Sequence, residues 1–186
     1  MEKIMFFAII RWILFSILDR LFFVIALLTN PLVSLFVTKN GELPRLFLWW
    51  ATPDSNMFGY DGDSGFYEEN KDNTDSYFGR GWVCTKWLYR NTGQGFSTYV
   101  CGLDDSKFLI KEEVYVDENG LTQERRLAYN GGKIVGFERK GGFLWWFTDD
   151  YYFRYRIGYK FNFAESRGYD LPAQIVQSVT PFKKME

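Results

Sequence analysis

The densest grouping of side chains able to do chemistry is Asp61-Gly62-Asp63-Ser64-Gly65, with Glu68 close behind. Clustered carboxylates among glycines can surround a hard cation such as Ca²⁺. The spacing lacks the full calcium-loop order and its terminal bidentate Glu, so no metal is assigned. Two carboxylates can instead cleave a glycoside, one as acid and one as nucleophile or base, but two Asp separated by one residue seldom fill both roles. The third use is a turn in which the Asp side chains accept backbone N–H bonds, and the pattern favours it. The cluster sits within residues 54–75, which hold seven acidic residues, one lysine and three glycines and read as a loop.

The rest of the composition narrows the chemistry further. The chain contains no histidine, which removes Ser-His-Asp and Cys-His catalysis and His-ligated metals together. Cys84 and Cys101 are too far apart for a redox pair and too few for a zinc site; they read as two reduced, half-buried thiols, with one disulfide as the alternative in an exported domain. No phosphate loop, dinucleotide fingerprint or nucleophile elbow is present, and no cofactor is implied. A formal charge of −1 from 22 basic and 23 acidic residues argues against nucleic acid as a partner. One cationic line does stand out. In YYFRYRIGYKFNF, Arg154, Arg156 and Lys160 share one face of a strand, and either water or an anion, from a lipid headgroup or the acidic loop, would meet them.

The element that places everything else is residues 4–37. Positions 4–28 predict one helix: 21 of the 25 residues are apolar and none is Gly or Pro. At ~1.5 Å per residue it is roughly 37 Å long, enough to cross a bilayer core of ~30 Å. Asn30-Pro31 predicts its end, and a second short helix is expected from Pro31 to about Lys39. Arg11, Trp12, Asp19 and Arg20 are its candidate membrane or subunit contacts. At ~100° per residue Arg11 and Asp19 lie about 80° apart while Arg20 is opposite Arg11. An apolar gain of roughly 6–10 kcal/mol meets about 8–10 kcal/mol of cost for these charges at mid-bilayer. A lone span is therefore near balance, and the helix is expected to lie in a membrane interface or to pair with other subunits. A signal segment fits less well, because no small-residue cleavage pattern follows.

After the helix, Trp49 and Trp50 read either as an aromatic belt at a membrane surface or as rings docking the helix onto the domain. A short helix is expected from Gly81 to Arg90, with Trp82 and Trp87 in the core rather than on a ligand platform. Gly93 and Gly95 lead into an expected strand, residues 96–103. From Lys107 onward, β-prone runs alternate with Asn119-Gly120, Asn130-Gly131-Gly132 and Gly141-Gly142, which are hairpin signals. The runs are 107–116, 121–129, 133–140, FLWWF at 143–147 and 151–163, followed by a short extended tail. On the last run Phe153, Tyr155, Ile157, Tyr159, Phe161 and Phe163 form the face expected to pack on the core. The fold class is α+β: a hydrophobic helical segment, 1–41, followed by a mainly antiparallel β domain, 42–186, with a meander of about five to six strands.

Several segments resemble a family of small uncharacterised proteins of tailed bacteriophages. They are Leu43 to Arg45, Trp49, Asp61 to Gly65, Trp87 to Asn91 and Ile157 to Lys160, with a closing Pro-Phe-Lys. Thr92 stands where such proteins tend to have Pro, and Tyr159 where they tend to have Trp. The resemblance implies a phage origin and an N-terminal hydrophobic stretch, and no catalytic residue. The expected role is non-enzymatic: binding or assembly at the host envelope, with a lipid bilayer or sister subunits as partner and a homo-oligomer or larger assembly as the working form. A virion structural protein and a hydrolase using Asp61 or Asp63 are the alternatives. Lys3 against Lys39 and Arg45 slightly favours an inner-membrane location with residues 39 onward in the cytoplasm, where the thiols stay reduced.

Overall fold

The computed structural model describes residues 2–53, 57–58, 64–104, 106–118, 120–141, 151–160 and 171–184. Helix α1 runs Glu2–Val33 and passes into a 3-10 turn, Ser34–Phe36. Three short helices follow, α2 (Ser64–Asn70), α3 (Tyr77–Arg90) and α4 (Gln94–Tyr99). The strands are β1 (Leu109–Val116), β2 (Thr122–Asn130), β3 (Lys133–Gly141), β4 (Tyr151–Tyr159) and β5 (Ile175–Lys184). They form one antiparallel meander in the order β1-β2-β3-β4-β5. The expected α+β fold is the one observed.

Several boundaries differ, each because tertiary burial outweighs a local signal. Pro31 lies inside α1 instead of starting a second helix. It forfeits one backbone bond, at a cost of ~3 kcal/mol. Continuing the helix carries Val33 and then Val37 into a cluster with Met57, Phe66, Val83, Cys84, Trp87 and Leu88, and burying a Val contributes on the order of 1.5–3 kcal/mol. Residues 64–73, expected as loop, form α2 and a 3-10 turn, because Phe66 reaches that same cluster and sets its ring at a tilt against Trp87. Helix α3 begins at Tyr77, four residues earlier than expected, where the Ser76 side chain caps Gly79 N–H.

The expected strand at 96–103 is instead α4 and a turn. Gly93 enters it with φ 71°, and Phe96 N–H donates to Trp49 O at 2.9 Å. A Cβ on Gly95 would sit 1.8 Å from Leu48 O, so only glycine lets α4 approach the neck this closely. Phe96, Ser97 and Thr98 of α4, and Cys101 just after it, are then buried. The FLWWF run lies outside the described residues, and the tail is a full strand, β5, rather than a short extension.

Two apolar clusters hold the molecule together, and α1 contributes to both. Val33 enters the first; Phe22 and Ala26 enter the second, with Phe96, Cys101, Tyr159, Ala173 and Ile175. Among the described residues, only the end of the sheet nearest the helices enters these clusters. Along the apolar face of β4, Tyr159 is buried while Ile157 is 47% exposed, so that face is not the uniform core surface expected of it.

Candidate functional site

Helix α1 has two sides of opposite character. Ser16, Phe22, Ala26, Asn30 and Val33 are buried and recur at helical spacing against the rest of the chain. The other side exposes Ile13, Leu14, Ile17, Leu18, Leu21, Val24, Ile25, Leu28 and Leu32, continued by Leu35 and Phe36. At ~100° per residue the exposed helical set falls within an arc of about 140°, and no polar residue lies in it. From Ile13 to Phe36 this surface is roughly 35 Å long at ~1.5 Å per residue. By length and composition this helix is able to cross a membrane, a property shared by signal sequences and by core helices of soluble proteins.

The polar residues of α1 are placed away from that arc. Asp19 points at α4, where its carboxylate accepts the Ser97 hydroxyl proton. Burial pushes its pKa above the usual carboxylate value, partly offset by Ser97 and the nearby Arg20. Arg20 donates from Nη2 to Gln177 O at 3.0 Å, and the Arg11 guanidinium lies 5.0 Å from the Phe15 ring centre. Arg11 and Arg20 are both exposed and stand about 20° outside the two edges of the apolar arc. Trp12 is half-buried with the second cluster. Inside the seam, the Asn30 side chain, Ser16 Oγ and Thr98 Oγ1 are buried without hydrogen-bond partners among the described residues.

Trp50 bridges the two clusters and donates from Nε1 to Thr29 Oγ1 at 2.8 Å. Trp49 is about half exposed and sets its ring edge-on to Phe22 and Phe96, at 5.9 and 5.4 Å. Both tryptophans thus dock α1 onto the domain. The exposed apolar surface grows elsewhere, through Phe78 and Leu46, which sequence reasoning did not single out, and through Trp82, which it expected in the core. On α3, Phe78 and Trp82 are exposed beside the end of α1, where Tyr77 Oη donates to Leu35 O; Trp82 is therefore a surface ring, and only Trp87 is core. Leu46, 82% exposed, lies in the neck just before Phe47, which packs on Phe36. A helical-wheel count of α1 alone would have separated its two sides. The α3 and neck residues needed the tertiary arrangement.

Among the described residues, the remaining candidates do not converge on this surface. Asp61 and Asp63 lie outside the described residues. Glu68 is on α2, exposed, and accepts from Lys71 Nζ at 2.6 Å. In the cationic line expected on β4, Arg156 meets its counter-charge on the neighbouring strand. Arg156 pairs with Glu138, which also lies 3.9 Å from Arg126. With Glu112 at 3.3 Å from Arg126, this makes a ladder of alternating sign across four strands. Arg154 Nε finds no acceptor among the described residues. Lys160 is pushed down to about 8, by burial first and then by Arg156 and Arg154.

A family model described as a family of unknown function, DUF7338, matches residues 3–186, and the chain belongs to that family. Neither curated proteins nor solved structures gave a match.

Proposed function

We propose that the protein is a non-enzymatic membrane-surface protein. In this reading α1 lies in the plane of one leaflet, its apolar arc among the acyl chains, and holds the β sheet at the surface for binding or assembly. The observation that carries this is the arc itself. Eleven large apolar side chains, Ile13 through Phe36, are exposed with no polar group among them. At about 1 kcal/mol for each half-exposed side chain removed from water, the gross gain is on the order of 10 kcal/mol. Arg11 and Arg20 at the edges of the arc suit headgroup contact while their stems cover apolar surface.

An in-plane helix fits better than a span. The domain packs along α1 from Trp12 to Val33. A crossing helix would drag Ser97, Thr98 and the β5 backbone into hydrocarbon, where unsatisfied polar groups cost several kcal/mol each. The phage resemblance would make the leaflet the cytoplasmic face of a host inner membrane, or an envelope-facing part of a virion.

Flotation with phosphatidylcholine–phosphatidylglycerol vesicles tests the reading. The full chain is expected to float. Leu21→Arg, in the middle of the arc at a residue 58% exposed, is expected to stay in the dense fraction with an unchanged circular dichroism spectrum. A wild-type chain that forms no large particles in detergent-free buffer and ignores vesicles would overturn it. If the arc instead packs on sister subunits, the wild type forms large particles in water that Leu21→Arg disperses.

A further inference from the structure

The two edges of the sheet are treated differently by the sequence. The β5 edge is guarded: α1 and α4 pack against this strand, Arg20 occupies the Gln177 carbonyl, and Pro181 has no backbone N–H to offer. Such devices block pairing with another strand. Among the described residues, the β1 edge has no Pro, and its charges, Lys111, Glu112 and Glu113, are of mixed sign, with Glu112 and Glu113 each paired to an arginine of β2. It is eight residues long with no Gly, and Leu109, Val114 and Val116 are 61%, 62% and 65% exposed. Its lysine, Lys111, turns back over its own sheet, with Nζ 5.3 Å from the Tyr129 ring centre.

The hydrogen-bond phase of this edge is readable. Asp117 N–H donates to Leu121 O at 3.0 Å. The β1–β2 register continues from there without a bulge, Val116↔Thr122 to Leu109↔Tyr129. In an antiparallel ladder the bonded pairs alternate. Leu109, Lys111, Glu113 and Tyr115 therefore turn their amide groups toward β2. Ile110, Glu112, Val114 and Val116 turn theirs to the open edge.

A second copy of the same strand matches this edge in one register. In antiparallel pairing about a two-fold axis through Glu112, Ile110 meets Val114 of the other copy, Leu109 meets Tyr115, and Lys111 meets Glu113, each pair occurring twice. The outward-facing residues 110, 112 and 114 pair with one another, giving about six new backbone hydrogen bonds. The two Glu112 side chains face each other, but each already has Arg126 of its own chain at 3.3 Å. Moving the axis to Lys111 or to Glu113 sets like charges opposite each other at the centre and pairs Ile110 or Val114 with glutamate or leaves Lys111 against Tyr115. The axis at Glu112 also opposes one like pair at its centre, but of the three it alone sets Lys111 opposite Glu113, which keeps Arg125 of its own chain, and apolar residues opposite apolar ones.

We infer that the chain forms a two-fold dimer through β1, joining two five-stranded sheets into one continuous antiparallel sheet centred on Glu112. The interface is isologous, the same patch on both partners. It uses no residue of the α1 surface, so it stands or falls separately from the lipid reading.

The test is the mass of the full-length chain in detergent by light scattering, with charge exchange at the seam. Wild type is expected at twice the mass of one chain. Lys111→Glu and Glu113→Lys each put like charges at two seam positions and should raise the dimer dissociation constant at least roughly tenfold. The double exchange restores opposite pairs and should restore the dimer. Val114→Pro removes an outward N–H at an edge position that tolerates proline, and should give monomer with native circular dichroism. A monomeric wild type, or a dimer indifferent to both single exchanges, overturns the inference. So does a double exchange that stays monomeric while folded.

Discussion

Asp19, a carboxylate carried by an otherwise apolar helix, accepts the hydroxyl proton of Ser97 on α4. The contact ties the middle of α1 to the domain and turns its charge away from the exposed apolar arc. It also makes the ionised form costly, since burial raises the Asp19 pKa. A carboxyl whose folded pKa is raised binds its proton more tightly in the native state. Its unfavourable contribution is absent below the unfolded value near 3.8 and grows as pH rises through the raised folded value. Asp19→Asn keeps an oxygen for Ser97 and removes the charge. The variant is expected to be more stable than wild type at pH 7 and indistinguishable from it at pH 3, as read by urea titration.

Phe22 is the anchor of the same seam. It is buried, stacks on Phe96 at 4.4 Å and meets Trp50 edge-on at 4.9 Å. Phe22→Ala should cost ~3–5 kcal/mol. Because α1 is held by few other large rings, hydrogen exchange in the variant should show α1 opening before the sheet. Equal loss of protection in both would refute this.

The sheet was the most legible part of the chain, and the reason is local. Asn130-Gly131-Gly132 joins two β-prone runs, and Gly131 and Gly132 adopt φ 56° and 76° as that turn requires. The helical layer was less legible because its boundaries depend on distant residues. Nothing local keeps the chain helical through Pro31, and it is a cluster of residues distant in sequence, Met57, Phe66, Val83, Cys84, Trp87 and Leu88, that makes the burial of Val33 and Val37 worthwhile. Residues 96–103 alternate like a strand, yet Gly95 lets them coil against Leu48. At the candidate site, the apolar length of α1 was visible, and so was the gathering of its charges on one half. That Asp19 meets Ser97 and Arg20 meets Gln177 required the fold. Arg156 was visible as a cation on a strand, but its partner Glu138 comes from a register that sequence does not specify.

Glu138 makes that register consequential. It is 7% exposed and sits between Arg156 and Arg126. Removing one member of a largely buried pair leaves the other charge uncompensated, at a cost of ~3–5 kcal/mol. Glu138→Gln should therefore lower the unfolding midpoint sharply, while Glu68→Gln, whose pair with Lys71 is exposed, should change stability by less than about 1 kcal/mol. A double variant, Glu138→Gln with Arg156→Met, should recover much of the loss.

The two cysteines report on whether both halves of the helical layer are closed. Both are free and buried. Burial pushes Cys84 up to about 12 and Cys101, with help from Asp19, up to about 11. Reaction with a thiol reagent requires the thiolate, so at pH 8 both should be nearly inert in the folded chain and both should react at once in urea. Cys84 sits in the first cluster with Val33, and Cys101 in the second with Phe22; Cys101 Sγ also contacts Phe15 O at 3.7 Å. Partial opening of α1 from its N-terminal half should thus expose Cys101 before Cys84. In Phe22→Ala the labelling of Cys101, followed by mass spectrometry, should speed up by at least tenfold while Cys84 stays protected. Simultaneous labelling of the two would mean that α1 and the domain open as one unit.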